Sequence, residues 1–175
     1  MDLLYAVYNR HRLPAFQIET AIWRDAGRTV VHKTALTPEA AAHVRALHAH
    51  TERLRGCLRG PRIRLPETAL RGEGVLEIAF VPGRRVDDLL AEAARQRRAD
   101  RLEAIVSDYL EALRESFPLQ PQPVWHPDMA RVFGMSDAAS LQGLGPFLTP
   151  ALADPIFENL IAADDGGYVL IDAEW

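Results

Sequence analysis

The chain has little cysteine and no long hydrophobic run. Its 175 residues include one cysteine, Cys57, which excludes an internal disulfide framework and a cysteine-based metal site. No stretch approaches the roughly 18 consecutive apolar residues of a membrane-spanning helix, so we expect no membrane span. A single thiol, and a start without the basic and then apolar segments of a signal peptide, lead us to expect a cytoplasmic protein.

Lysine is also nearly absent. Of the 20 residues that are Lys or Arg, one is a lysine, Lys33. A formal net charge of -4 argues against a nucleic-acid partner, which usually selects a basic surface. Arginine can replace lysine where only positive charge matters, but a compact ammonium differs from a planar guanidinium at a binding site. Lys33 is therefore a candidate functional residue.

The first half of the chain alternates strand patterns with one helix pattern. Alternating apolar residues predict strands over these segments: 3–8, 16–23, 29–33, 62–65 and 75–81. The first three predict a small antiparallel meander. Thr37, Pro38 and Glu39 are typical of a helix start, and the apolar spacing that follows predicts a helix ending near Gly56.

The second half predicts helices and a final hairpin, which together make the fold class α+β. Val86 begins a short helix, and apolar residues at helical spacing predict a longer helix over 100–116. Residues 118–150 form a proline-rich connection. Residues 160–172 then read as two short strands joined by a turn.

Three polar residues surround that hairpin. Asp154 lies five positions before Asn159, and Asp172 lies thirteen positions after Asn159. The hairpin should return Asp172 close to Asn159. Carboxylate and amide oxygens suit Mg²⁺, which is often held by one or two carboxylates together with phosphate oxygens. Asp154, slightly apart, could accept a proton from a hydroxyl nucleophile.

This order and spacing resembles the catalytic loop and metal-binding aspartate of the protein-kinase-like superfamily, which includes the aminoglycoside-phosphotransferase and lipopolysaccharide-kinase branches. The resemblance implies that Asp154 is the catalytic base and that Asn159 and Asp172 hold Mg²⁺ on ATP. It implies that Lys33, at the end of the third strand, binds the nucleotide phosphates and pairs with Glu52 on the following helix. Glu39, the alternative partner, lies in the first helical turn, where the helix dipole explains an acid.

The same resemblance divides the chain into two lobes. Residues 1–83 would be an N-lobe of antiparallel sheet plus helix with the hinge, and residues 84–175 a partial C-lobe with the catalytic loop and metal hairpin over 154–175. In the hinge strand 75–83, the backbone of Glu77 and Ile78 would meet adenine. Asp87 would reach the ribose.

A narrower resemblance comes from five short segments: 16–20, 33–40, 132–134, 154–159 and 171–175. They are similar to kinase-like regions of bacterial surface-polysaccharide assembly proteins, which are often attached to glycosyltransferase or methyltransferase domains. This implies a sugar or glycan hydroxyl as phosphate acceptor, and a glycosyltransferase or methyltransferase domain as partner.

Three departures from the family pattern leave the activity open. The turn after the first strand has no glycine, so Arg10, His11 or Arg12 would have to supply charge to the phosphates. The histidine usual before the catalytic aspartate is absent before Asp154. The sequence stops at Trp175, where a helical C-lobe would continue, so we expect a piece of a larger domain. An active phosphotransferase, a pseudokinase-like module and an inactive remnant are the three alternatives.

Overall fold

The computed structural model describes residues 1–121, 134, 137–141, 143, 145, 147–148 and 156–172. Its larger sheet is five-stranded and antiparallel, in the order β1-β2-β3-β6-β5. The strands of this sheet are β1 Asp2–Tyr8, β2 Ile18–Asp25, β3 Arg28–Ala35, β5 Thr68–Leu70 and β6 Val75–Ala79. The predicted meander is present as β1 to β3. The short strand β5 was not predicted.

Helix α1 covers one half of the inner face of this sheet. It spans Ala40–Cys57, and the Thr37 hydroxyl accepts a hydrogen bond from the Ala40 N–H at 3.2 Å, just before the helix. Alternation along the strands turns apolar side chains of β2 and β6 toward the helix. The resulting core comprises Ile18, Val44, Leu47, Leu76 and Ile78. The other half of the inner face remains available to form a cavity wall.

A second unit contains a four-stranded sheet and two helices. Its sheet has the order β4-β11-β10-β7, from β4 Ile63–Arg64, β7 Arg84–Arg85, β10 Leu160–Ala162 and β11 Tyr168–Leu170. Strands β10 and β11 form the predicted hairpin, with Leu160 opposite Leu170. Helices α2 Val86–Arg95 and α3 Ala99–Ser116 pack against it. A separate two-stranded pair consists of β8 Leu119–Gln120 and β9 Phe147–Leu148, and Leu148 packs against the core of the second unit.

The two units share helix α1, whose buried stripe serves both cores. Val44 and Leu47 belong to the core beneath the five-stranded sheet, whereas Leu54 belongs to the core of the second unit. The chain thus has antiparallel sheet and three α-helices within its described residues, which is compatible with the α+β prediction. No helix in this described part is both long and apolar enough to cross a membrane.

The connection between the two units turns at Gly83. Its φ of +143° lies in a region that L side chains rarely adopt. A Cβ at this position would lie 2.5 Å from Ile161 Cγ2 and 3.2 Å from the Ala162 carbonyl oxygen. Because glycine has no side chain, the chain can pass close to β10 at Gly83, just before residues 84–85 form β7 and pair with β10.

Gly83→Ala should destabilise the protein through this close approach. Gly72 also has positive φ, of +72°, but a Cβ there would meet nothing within 4 Å. Gly72→Ala should cost about 1 kcal/mol from backbone strain alone, and Gly83→Ala about 2–4 kcal/mol because overpacking is added. Urea unfolding of both variants measures the difference. Equal losses would mean that contact with Ile161 is unimportant.

A polar cluster ties helix α3 to the smaller sheet. The Asp108 carboxylate accepts hydrogen bonds from the Tyr168 hydroxyl and from Arg62 Nη2, each at 2.6 Å. Tyr168 first and then Arg62 lower the pKa of Asp108, against the opposing effect of burial. Burial, followed by the bond to Asp108, raises the pKa of Tyr168. Asp108 therefore links α3, as a carboxylate, to Tyr168 on β11 and to Arg62 just before β4.

Stability should fall in acid because of this carboxylate. Since the folded pKa of Asp108 lies below its unfolded value of about 4, its contribution is complete above that value and is lost as pH falls through the folded pKa. At pH 7, Asp108→Asn should cost about 1 kcal/mol, or about 2–4 °C in Tm. The difference in Tm between Asp108→Asn and the wild type should shrink as the pH falls from 7 to 2, and melting curves at each pH measure it. Glu103→Gln, at an exposed position of the same helix, is the control, and a difference independent of pH would contradict this account.

Candidate functional site

Lys33 lies in the middle of the five-stranded sheet, on its inner face. It sits opposite Thr20 on β2 and Leu76 on β6. The residue is 5% exposed, and its Nζ lies 2.8 Å from Asp172 Oδ1. A buried ammonium is costly without an anionic partner, so this pair relieves the desolvation of Lys33. The contact joins residues 139 positions apart and connects the two units.

Asp172 and Asn159 are brought together by the C-terminal hairpin. Asn159 ends a short 3₁₀ turn, Phe157–Asn159, that leads directly into β10. Its carbonyl accepts a hydrogen bond from the Ile171 N–H at 2.8 Å, immediately before Asp172. Both side chains line the same cavity as Lys33. The sequence spacing had predicted this juxtaposition from the return of the hairpin.

The cavity lies between the two units and has a volume of about 620 Å³. Its polar and charged lining residues come from both units: Asn9, Arg12, Thr20, Lys33, Arg85, Glu158, Asn159 and Asp172. Its apolar lining includes Tyr5, Ile22, Val31, Ile78, Ala79, Phe80, Val81 and Ile161. A ligand with a flat apolar part and a polar or charged part would match this mixed lining.

Charged groups of both signs line the cavity. Arg12, Lys33 and Arg85 line it with positive charge, whereas Glu158 and Asp172 contribute negative charge. Arg85 is committed to local acids, because its guanidinium lies 2.8 Å from Asp87 Oδ2 and also contacts Asp88. Lys33 likewise contacts an acid, Asp172, at 2.8 Å, and Arg12 is the third cation of the lining.

The described residues contain no group of three or more His, Cys, Asp or Glu side chains arranged to hold a metal. A divalent cation would therefore need the Asp172 carboxylate, the Asn159 amide oxygen and oxygen atoms supplied by the ligand. This donor set fits Mg²⁺, which keeps few protein ligands and binds phosphate oxygens readily. Lys33 contacts one carboxylate oxygen of Asp172, and the carboxylate has a second.

The structure does not bring Glu52 to Lys33. The Glu52 carboxylate instead accepts hydrogen bonds from Thr68 Oγ1 at 3.3 Å and Arg55 Nε at 3.4 Å. The preceding residue, Thr51, is the one on the buried stripe, and it lines a small hollow behind Lys33. Successive helical residues differ by about 100° in direction, which turns Glu52 away from the lysine.

The hinge contacts expected from Glu77 and Ile78 are also placed differently. Their backbones lie inside the sheet, paired with β3 on one side and β5 on the other. The Glu77 side chain contacts Arg71, Arg28 and His32, and Arg71 is the main cause that lowers its pKa. Ile78 lines the cavity with its side chain. The cavity-lining residues that follow Ile78 in this segment are Ala79, Phe80, Val81 and Gly83.

Two further predicted site residues have different outcomes. Asp87 lies in the first turn of α2 beside Arg85, and it is not among the described residues that line the cavity. Asp154 lies outside the described residues, so its predicted role as a base stays a prediction.

No family model matches the chain, and the search of curated proteins found no significant match.

Sequence reasoning left two cavity features without a definite role. Arg12 was one of three basic candidates in its turn, and its position in the cavity follows from the fold of residues 9–17. Thr51 shares a helix face with Val44, Leu47 and Leu54 at spacings of three and four residues, and this spacing indicates that Thr51 rather than Glu52 lies on the buried side of α1.

Glu52 and Lys33 should behave independently in stability measurements. Glu52→Gln should change the free energy of unfolding by less than about 0.5 kcal/mol, because its contacts are exposed. Lys33→Met should cost about 1–3 kcal/mol, because Asp172 loses a partner. The double variant should show the sum within about 0.5 kcal/mol. A larger coupling energy would place Glu52 in contact with Lys33 and contradict this geometry.

Proposed function

We propose that the cavity binds ATP with Mg²⁺ and that the protein transfers a phosphoryl group to the hydroxyl of a sugar or glycan. The observation that carries the proposal is the contact of the buried Lys33 with Asp172, 2.8 Å long, in a cavity that Asn159 and many apolar side chains also line. Nucleotides combine these properties in one ligand: a flat base and a phosphate chain that binds divalent metal.

Each residue would have a distinct role in this reaction. The Lys33 ammonium would neutralise charge on the nucleotide phosphates, and Asp172 and Asn159 would hold Mg²⁺. Mg²⁺, when bound, supplies positive charge that stabilises the transferring phosphoryl group. Asp154 would accept the proton of the attacking hydroxyl. Residues 79–83 would contact the base, in place of the predicted Glu77 and Ile78 backbone.

The architecture supports a kinase-like assignment on two points. The lysine lies on the third strand of an antiparallel sheet that is followed by a helix, as the family pattern requires. The aspartate follows a β-hairpin of the second unit and meets that lysine across the cavity. Under this proposal the five-stranded sheet with α1 is the N-lobe, and the second unit is the start of the C-lobe.

A second candidate is a nucleotide-binding module without catalysis, attached to a glycosyltransferase or methyltransferase domain. Its specific support is the position of Glu52, which does not orient Lys33 as the resemblance implied. The glycine-free turn at residues 9–13 supports it as well. Both candidates bind a nucleotide, but only the first transfers a phosphoryl group.

Mg²⁺-ATP should raise the melting temperature of the wild-type protein. At 100 times the Kd the expected stabilisation is about 2.7 kcal/mol, which corresponds to about 5–10 °C for a chain of this length. Lys33→Met and Asp172→Asn should each remove most of the shift. Asp165→Asn is the matched control, since Asp165 lies in the turn of the same hairpin and pairs with Arg64 away from the cavity. A full shift in both cavity variants would refute binding at this site.

ADP formation from Mg²⁺-ATP with a panel of monosaccharides separates the two candidates. Acceptor-dependent ADP that Asp154→Asn abolishes would support the enzyme. Binding without acceptor-dependent ADP would favour the module.

A further inference from the structure

We propose that Arg12 binds the outer phosphates of the nucleotide, in the role that backbone amides of a glycine-rich loop would otherwise have. We further propose that Gln17 is the residue that positions it. This inference rests on the proposed function, because it assigns a new phosphate ligand to the same cavity.

The turn that carries Arg12 is held by bonds from within and from Gln17. The Gln17 side-chain amide donates to the Arg12 carbonyl at 2.8 Å and to the Arg10 carbonyl at 3.1 Å. The Asn9 N–H donates to the Ile18 carbonyl at 3.0 Å, and the Arg12 N–H donates to the Asn9 carbonyl at 3.2 Å. The turn is thus fixed across the ends of β1 and β2, and two of its backbone donors are already used.

The three basic residues of this turn have different surroundings. Arg12 is half-buried and lines the cavity. The Arg10 guanidinium lies over the Tyr8 ring, 5.0 Å from its centroid, and Arg10 is not among the described residues that line the cavity. His11 is exposed and is likewise not in that lining. The structure therefore selects Arg12 among the three.

The turn that carries Arg12 joins β1 to β2 at the end of the sheet where Thr20 and Lys33 lie. Val7, Thr20 and Lys33 form one row across β1, β2 and β3, and this row is nearer the turn than the row of Tyr5 and Ile22. The next row, which begins with Tyr5 and Ile22, is apolar and lies farther from the turn. A phosphate chain that reaches Lys33 would lie on the side of the cavity nearer the turn of Arg12, and the apolar row would remain for the base.

A guanidinium suits this position chemically. Its planar fork can donate two parallel hydrogen bonds to a phosphate, and its charge does not depend on pH in the accessible range. A glycine-rich loop requires close backbone approach, whereas an arginine can reach the phosphate from a turn that stays farther away. The absent glycines and the cavity-lining arginine are thus explained together.

The test is calorimetric binding of adenosine, AMP, ADP and ATP, with Mg²⁺ present, to the full chain and its variants. Arg12→Ala should lower the affinity for ATP and for ADP about 10- to 100-fold and leave the affinity for adenosine unchanged. Arg12→Lys should recover part of the loss, because it restores charge without the fork. Arg10→Ala is the matched control, since it removes the same charge from the same turn, and it should change each affinity by less than about twofold.

Gln17→Ala should lower the affinity for ATP, by less than Arg12→Ala does, and should leave the affinity for adenosine unchanged. In the double variant, Gln17→Ala should cause no loss beyond that of Arg12→Ala, because Gln17 acts through the arginine. A general loss of structure would weaken adenosine as well, so the dependence on phosphate number separates positioning from folding. Ligand-free melting curves of Arg12→Ala and Arg10→Ala should agree closely.

Three results would overturn the inference. Unchanged ATP affinity in Arg12→Ala, with ATP bound by the wild type, would refute the role of Arg12 and leave the proposed function standing. An equal loss for adenosine and ATP would show that Arg12 is structural. Absence of all nucleotide binding by the wild type would refute the proposed function and this inference together.

Discussion

The ion pair between Lys33 and Asp172 is the contact on which the arrangement of the molecule depends. It joins the centre of one sheet to the end of a hairpin 139 residues later. A lysine that is 5% exposed requires an anion, and the hairpin supplies one. The hairpin that carries Asp172 also carries Asn159, so both residues of the second unit reach the cavity from the same element.

Helix α1 makes this arrangement possible by contributing to both cores. Val44 and Leu47 pack beneath the larger sheet, and Leu54 packs into the second unit. Thr51 lies between them along the buried stripe, near the lysine. Thr51 lines a small hollow together with Leu47, Lys33 and Asp172, so α1, the larger sheet and the hairpin meet there.

Local patterns predicted most elements, and tertiary placement explains the differences. The meander, both long helices and the hairpin have clear periodicity, whereas β5 and β7 have three and two residues and too little pattern to read. Glu52 was chosen by its spacing from Lys33 along the chain, but helical phase turns Thr51 to that side. Glu77 and Ile78 lie in the predicted strand, but strand pairing uses their backbones, a fact that depends on β5.

The most direct measurement is a crystal structure of the chain with Mn²⁺ and a non-hydrolysable ATP analogue. We expect an anomalous Mn²⁺ peak at coordination distance from Asp172 and Asn159. We also expect phosphate oxygens within hydrogen-bond distance of Lys33 and the base beside residues 79–83. A nucleotide bound elsewhere, or one bound in the cavity with Mn²⁺ remote from Asp172, would show that Lys33, Asn159 and Asp172 do not form a metal–nucleotide site.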